Sequence, residues 1–283
     1  MLVNVADFLS ALAQAFVRQL VVGVGLLAAL GLALSLTQGA LCRALLGLMG
    51  TRGVVLFTGW LGTPVHELSH VVVAWVCRIE ITQVKLWEPD PKNGVLGFVR
   101  YRVPQRRLGE LHKIVGTFLM GVAPLFGGAL FLWAALSLLA PDAGLLLGEA
   151  TQFATRAASA PPPEVARGFA ALVRRVADTI FAAGALSWRP WLFLYLALCV
   201  GAHLAPSRAD LEGGLTGLAA ALVLLLFVDA AALLLGADPL RAATWAARAA
   251  GPVAAMLLLA LTLNLGNLAV TWAALALARL VRS

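Results

Sequence analysis

The chain has 283 residues, of which 61% are hydrophobic and only 12% charged, and its mean hydropathy is +0.91. A soluble domain carries about a quarter charged residues, so composition excludes an ordinary globular protein and points to an all-α polytopic membrane protein. The net charge of +7 fits arginine-bearing loops that set topology and meet anionic lipid headgroups, and we expect no nucleic-acid partner.

Six apolar stretches, each about 20 residues long, are read as transmembrane helices. They cover 14–36, 54–77, 114–139, 190–206, 214–236 and 252–280, and residues 1–283 form a single membrane domain. The first stretch reads as a span, because no small-residue cleavage site follows a short apolar core. Cys42, Cys77 and Cys199 are scattered and form no Cys-x-x-Cys pair, so neither a disulfide framework nor a cysteine metal site is expected. No internal repeat is found.

Two connections are substantial. Residues 78–113 hold eight of the 21 basic residues. Within them, Ile81–Trp87 and Val95–Val103 are rich in β-branched and aromatic residues and flank a turn ending in Asn93-Gly94. This predicts a β-hairpin. The second connection, 141–188, opens with Ala/Gly/Pro-rich sequence read as loop and is broken by Pro161-Pro162-Pro163. Beyond the break, Val165, Phe169, Leu172, Val176 and Ile180 recur at helical spacing opposite Arg167, Arg174, Arg175 and Asp178. That is an amphipathic helix, lying in the membrane interface or covering the bundle.

The second span contains His66-Glu67-Leu68-Ser69-His70. Histidines four apart project from one helix face, one turn above the other. Two imidazoles so placed can share one zinc ion, with the intervening glutamate positioned to take a proton from a water that the metal polarises. Three ionisable groups at membrane depth are costly and mark function by default.

A catalytic zinc needs a third protein ligand. The candidates are His112, His203, Asp210, Glu212 and Asp229. Basic residues concentrate on the side that holds both termini and the 78–113 loop, which places the termini in the cytoplasm. Span 2 then runs outside to inside. Span 4 ends near Ala205 on the same side, which brings Asp210 toward the two histidines. Asp210 is the favoured third ligand, with His203 and Glu212 as alternatives. Asp229 falls toward the far end of span 5. Asn264 and Asn267 share one face of span 6; they are read as an interhelical hydrogen bond or, with His203, as contacts to a substrate or transition state. Gly121 to Gly128 in span 3 read as small residues for close helix contact, or as a kink opening a path.

An HExxH in a span, a hairpin after it and a distant aspartate at a helix start together resemble the site-2 protease class of intramembrane zinc metalloproteases. The segment Gly62–Gly128 is also similar to small uncharacterised bacterial membrane metallopeptidases of that class. It shares Pro64-Val65-His66-Glu67-Leu68-Ser69-His70, Leu96-Gly97-Phe98-Val99 and Gly121-Val122-Ala123-Pro124-Leu125-Phe126-Gly127, with Ser207-Arg208-Ala209-Asp210 matching a later Ser-x-x-Asp. The usual Asn-Pro-x-x-Asp-Gly is replaced by Pro206-Ser207-Arg208-Ala209-Asp210-Leu211-Glu212-Gly213, and no PDZ-like segment is present. The resemblance implies one zinc per chain, Glu67 as general base, a membrane-anchored protein substrate and a bacterial inner-membrane location. Two other readings stand beside it: a zinc-binding transporter or sensor, and a protease relative that binds without cutting.

Overall fold

The structure, a computed structural model, describes residues 5–20, 25–89, 96–102, 110–140, 142–157, 161–236 and 239–282. It is mainly helical: α1 (Val5–Gln19), α2 (Leu26–Val54), a π-helical turn (Val55–Gly59), α3 (Trp60–Val76), β1 (Glu80–Lys85), β2 (Phe98–Arg102), α4 (Glu110–Leu139), α5 (Ala143–Ala157), α6 (Pro162–Ile180), α7 (Trp188–Gly201), α8 (Arg208–Leu234) and α9 (Pro239–Arg282).

Four stretches are long and apolar enough to cross a membrane: Leu26–Val76, Val115–Leu139, Gly217–Leu234 and Gly251–Val281. The apolar parts of α1 (Val5–Val17) and α7 are shorter. The six sequence-predicted spans therefore map unevenly. The stretch 14–36 is divided between α1 and α2, while α2, the π turn and α3 run on into one another. A break falls at Gly50, with φ 67° and ψ 177°, a conformation open essentially to glycine alone. The stretch 190–206 stops being helical at Gly201. Pro206 disfavours helix at the residue before it, and the chain from His203 to Ser207 is irregular.

Helix α9 is the axis of the bundle and packs against α2, α4, α5 and α7. Its middle is buried nearly all round, through Ala254, Ala255, Leu257, Leu258, Leu259, Ala260, Leu261 and Leu263, as expected of a helix apolar on every face. The Ala/Gly/Pro-rich start of 141–188 is helix, contrary to the loop reading. In α5, Ala143, Leu146, Ala150 and Ala154 make a buried stripe at helical spacing, facing α9 and α6. Its small residues look like loop composition, yet they let the helices approach closely. The amphipathic helix forms as α6 and covers the bundle: Leu172, Val176 and Ile180 are buried, and Arg175 Nε meets Glu149 Oε2 of α5 at 3.2 Å.

The hairpin forms as an antiparallel pair in the register Glu80↔Arg102, Ile81↔Tyr101, Gln83↔Arg100, Val84↔Val99 and Lys85↔Phe98, with an irregularity between Ile81 and Gln83. The Asn93-Gly94 turn lies outside the described residues. The hairpin seats on α3: a Cβ on Gly97 would lie 2.9 Å from Thr63 Cγ2, and one on Gly59 3.0 Å from the Trp87 ring.

Glycine contacts set the spacing of the helices around α3. A Cβ on Gly121 of α4 would sit 2.5 Å from the Asp210 carbonyl oxygen and 2.6 Å from Gly214 Cα of α8. One on Gly127 would sit 1.9 Å from Ser69 Oγ of α3, and one on Gly128 2.3 Å from Leu204. The glycines of α4 thus serve close helix contact. At Gly121 the obstructing atoms are backbone and cannot rotate away. Gly121→Ala should destabilise the protein by about 1–3 kcal/mol, the usual cost of overpacking. Gly144→Ala, where nothing lies within 4 Å of the added methyl, should leave stability unchanged or raise it by up to about 1 kcal/mol through helix propensity. Thermal unfolding in detergent, followed by tryptophan fluorescence, checks both.

Candidate metal centre

Helix α3 turns one face inward, through buried Thr63, Glu67, His70 and Ala74, while Leu68, Val72, Trp75 and Val76 face outward. On this face His66 and His70 lie one turn apart, their rings edge to face with centroids 5.2 Å apart.

Asp210 comes from the first turn of α8, 140 residues beyond His70. Its Oδ1 is 3.2 Å from His70 Nε2 and its Oδ2 is 3.6 Å from His66 Nε2. Nitrogen and oxygen ligands about 2.0–2.1 Å from a tetrahedral zinc lie about 3.3 Å from each other, and the two His–Asp distances bracket that. One ligand atom from each of the three residues lies within 4.8 Å of the others, so His66, His70 and Asp210 could hold a metal ion.

Asp210 is placed by local chemistry. Ser207 is the N-cap of α8, and the two residues form a reciprocal capping box: Ser207 N–H donates to Asp210 Oδ2 at 2.7 Å, and Asp210 N–H to Ser207 Oγ at 3.2 Å. Burial raises the Asp210 carboxyl, but the neighbouring His66 and His70 imidazoles and the Ser207 N-cap outweigh it and hold the group well below the usual carboxylate range.

The histidines are oriented differently. His66 Nδ1 lies 2.9 Å from the carbonyl oxygen of His203. Donation there fixes the tautomer that leaves Nε2 free for a metal, the usual support for a ligating histidine. His203 is itself held by Thr58: its Nε2 lies 3.2 Å from Thr58 Oγ1, whose hydroxyl donates to Val54 O at 2.9 Å. His70 Nδ1 is buried and has no hydrogen-bond partner among the described residues.

A cleft of about 330 Å³ opens beside the cluster, lined by Gln38, Thr63, His66, Glu67, Leu96, Gly97, His203, Ala205 and Ser207. Glu67 is thus in the same cleft as His66. The sequence-predicted residues separate accordingly. His66, His70 and Asp210 come together, and His203 supports His66 through its backbone. Asn264 donates through Nδ2 to the Gly201 carbonyl at 3.3 Å, so it joins α9 to the end of α7. Asn267 is half-buried on the same helix. Glu212 is exposed, and buried Asp229 accepts from Gln19 Nε2 at 2.9 Å. The His112 side chain lies outside the described residues. Two cleft residues, Gln38 and Thr63, and Thr58 behind His203 were not anticipated from sequence. Only Thr63 carried a signal, because it stands four before Glu67 on the same helix face.

Set against protein-family models, curated proteins and solved structures, the chain matches none of them.

Metal stoichiometry tests the cluster. Purified protein supplied with zinc should bind one ion per chain, and His66→Ala and His70→Ala should abolish binding. Asp210→Ala should weaken it at least tenfold, as loss of a ligand exceeds the 10–100-fold cost of losing even an outer partner. Atomic emission and chelator competition on folded protein give the count and the affinity.

Proposed function

We propose that the protein is an intramembrane zinc endopeptidase of the site-2 protease type, hydrolysing peptide bonds of membrane-anchored protein substrates. The observation that carries this reading is the convergence of His66, His70 and Asp210 with Glu67 beside them in a cleft. A metal-binding scaffold needs the three ligands; it has no need of a carboxylate next to them.

A zinc ion held by His66, His70 and Asp210 would supply Lewis-acid polarisation of the scissile carbonyl and lower the pKa of the attacking water. Glu67 accepts the water proton and returns it to the leaving amine. Asp210 carries the charge that offsets the metal. The His203 carbonyl holds the His66 ring in place.

The remaining parts of the reading follow from sequence. Six crossings, with α1 and α7 taking part as short or tilted helices, leave both termini in the cytoplasm by the positive-inside rule, and the bacterial inner membrane is the location that the resemblance implies. A zinc transporter would require further ligands along a path, and among the described residues His66, His70 and Asp210 are the one such group.

Glu67→Gln separates catalysis from metal binding. Wild type and Glu67→Gln should hold equal zinc, while general-base loss should reduce turnover by about 10²–10⁴-fold. Cells expressing each protein are compared by sequencing new N-termini in the membrane fraction. Cleavages within or next to transmembrane segments that vanish in Glu67→Gln support the proposal. Identical N-termini at equal zinc content would leave a zinc-binding protein that does not cut.

A further inference from the structure

The described, buried hydroxyl side chains of this protein follow one rule with one exception. Thr58, Ser69, Thr179, Thr262 and Thr271 each donate to the carbonyl four residues earlier, at 2.7 to 2.9 Å. Such back-bonding is the ordinary way a helix satisfies a buried hydroxyl. Thr63 is 5% exposed, and its Oγ1 has no hydrogen-bond partner among the described residues. The carbonyl it would use belongs to Gly59, the last residue of the π turn, where the helical ladder changes register. A buried unmade hydrogen bond costs roughly 1–3 kcal/mol, so an orphan hydroxyl calls for a reason.

Its surroundings supply one. Thr63 lines the cleft that holds Glu67 and His66, one turn from Glu67 on the same face. Its methyl packs against Gly97. Across the cleft, Gln38 Oε1 accepts the backbone N–H of Ala205, which leaves the Gln38 amide nitrogen as a donor. Two of the walls are irregular chain rather than helix, at Leu96–Gly97 and at His203–Ser207. The cleft therefore brings the Gln38 amide and the Thr63 side chain, its hydroxyl just beneath the surface, beside a carboxylate, with Gly97, Ala205 and Ser207 as small lining residues. That pattern suits a backbone carbonyl more than an apolar side chain or a lipid tail.

We propose that the Thr63 hydroxyl binds the main chain of an extended peptide segment laid through this cleft, making Thr63 a substrate-binding residue next to the metal centre. This rests on the metallopeptidase reading and names the ligand class of its cleft. The hydroxyl finds its partner in the bound peptide, which is why the fold leaves it unpaired.

The test uses full-length, zinc-loaded protein in detergent and two probes, acetohydroxamate and N-acetyl-leucyl-leucine hydroxamate. Both chelate the metal, and only the second carries peptide main chain. Calorimetry should show Thr63→Val binding acetohydroxamate as wild type does and the peptidyl hydroxamate about 5–10-fold more weakly, with Thr63→Ser restoring affinity. Zinc content should stay at the wild-type level. The melting temperature of Thr63→Val should equal or exceed that of wild type, because an orphan polar group is being removed. Unchanged peptidyl hydroxamate affinity in Thr63→Val would overturn the proposal. So would a melting temperature several degrees lower, which would mark the hydroxyl as structural. Wild type that holds zinc yet gains nothing from the peptide portion would overturn the ligand class while leaving the metal centre standing. Wild type without zinc would overturn the metallopeptidase reading itself.

Discussion

The carboxylate of Asp210 joins two parts of the chain that nothing local brings together. Its Oδ1 reaches His70 and its Oδ2 reaches His66, while the same Oδ2 accepts the Ser207 N–H that starts α8. Capping and bridging are therefore one arrangement. The capping box holds the carboxylate through contacts within its own turn, and the contact of Gly121 with the Asp210 backbone sets how far α8 stands from α4. The Gly127–Ser69 contact then sets how far α3 stands from α4. Two glycines on one helix thus gauge the distance between the His66/His70 face and the carboxylate.

That arrangement answers an energetic problem. An ionisable side chain within a membrane helix costs several kcal/mol unless paired or hydrated, and α3 carries three in five residues. Pairing both histidines with one carboxylate offsets part of this cost. The remainder is the reason to read the segment as functional. A bundle selected only for stability does better with well-packed apolar residues than with a buried ionic cluster.

Much of the site was legible in the sequence, for physical reasons. The four-residue repeat of His66 and His70 defines a face without knowledge of the fold. The asymmetry of basic residues pointed to the same membrane side for Asp210 as for the inner half of α3. The hairpin was visible because alternation and an Asn-Gly turn are local signals. What sequence concealed depends on neighbours. Helix α5 looks like loop because its packing stripe is Ala143, Ala150 and Ala154, and small residues mean different things beside a partner helix and in isolation. The early end of α7 at Gly201 is stabilised by Asn264 donating to the Gly201 carbonyl, a contact 63 residues away in sequence, while Pro206 disfavours helix at the residue before it. Gln38 enters the cleft from a helix with no motif of its own.

The π turn at Val55–Gly59 bears on three features at once. One extra residue in a helical turn rotates everything after it by roughly 100° relative to everything before. Helix α2 can then keep its buried face on α9 while α3 turns its own onto α4. The wider turn also loosens the carbonyl ladder, and Phe57 O is taken up by the Tyr195 hydroxyl at 2.9 Å, with Cys199 Sγ at 3.4 Å. Trp60 Nε1 in turn donates to Tyr195 Oη at 2.8 Å. These bonds fasten α7 to the turn, and α7 delivers the His203 carbonyl to His66. The same change of register separates Thr63 from the pattern that satisfies the other buried hydroxyls. Together with the break at Gly50, the π turn thus aims the His66/His70 face, anchors the segment that orients His66, and leaves the Thr63 hydroxyl without a partner.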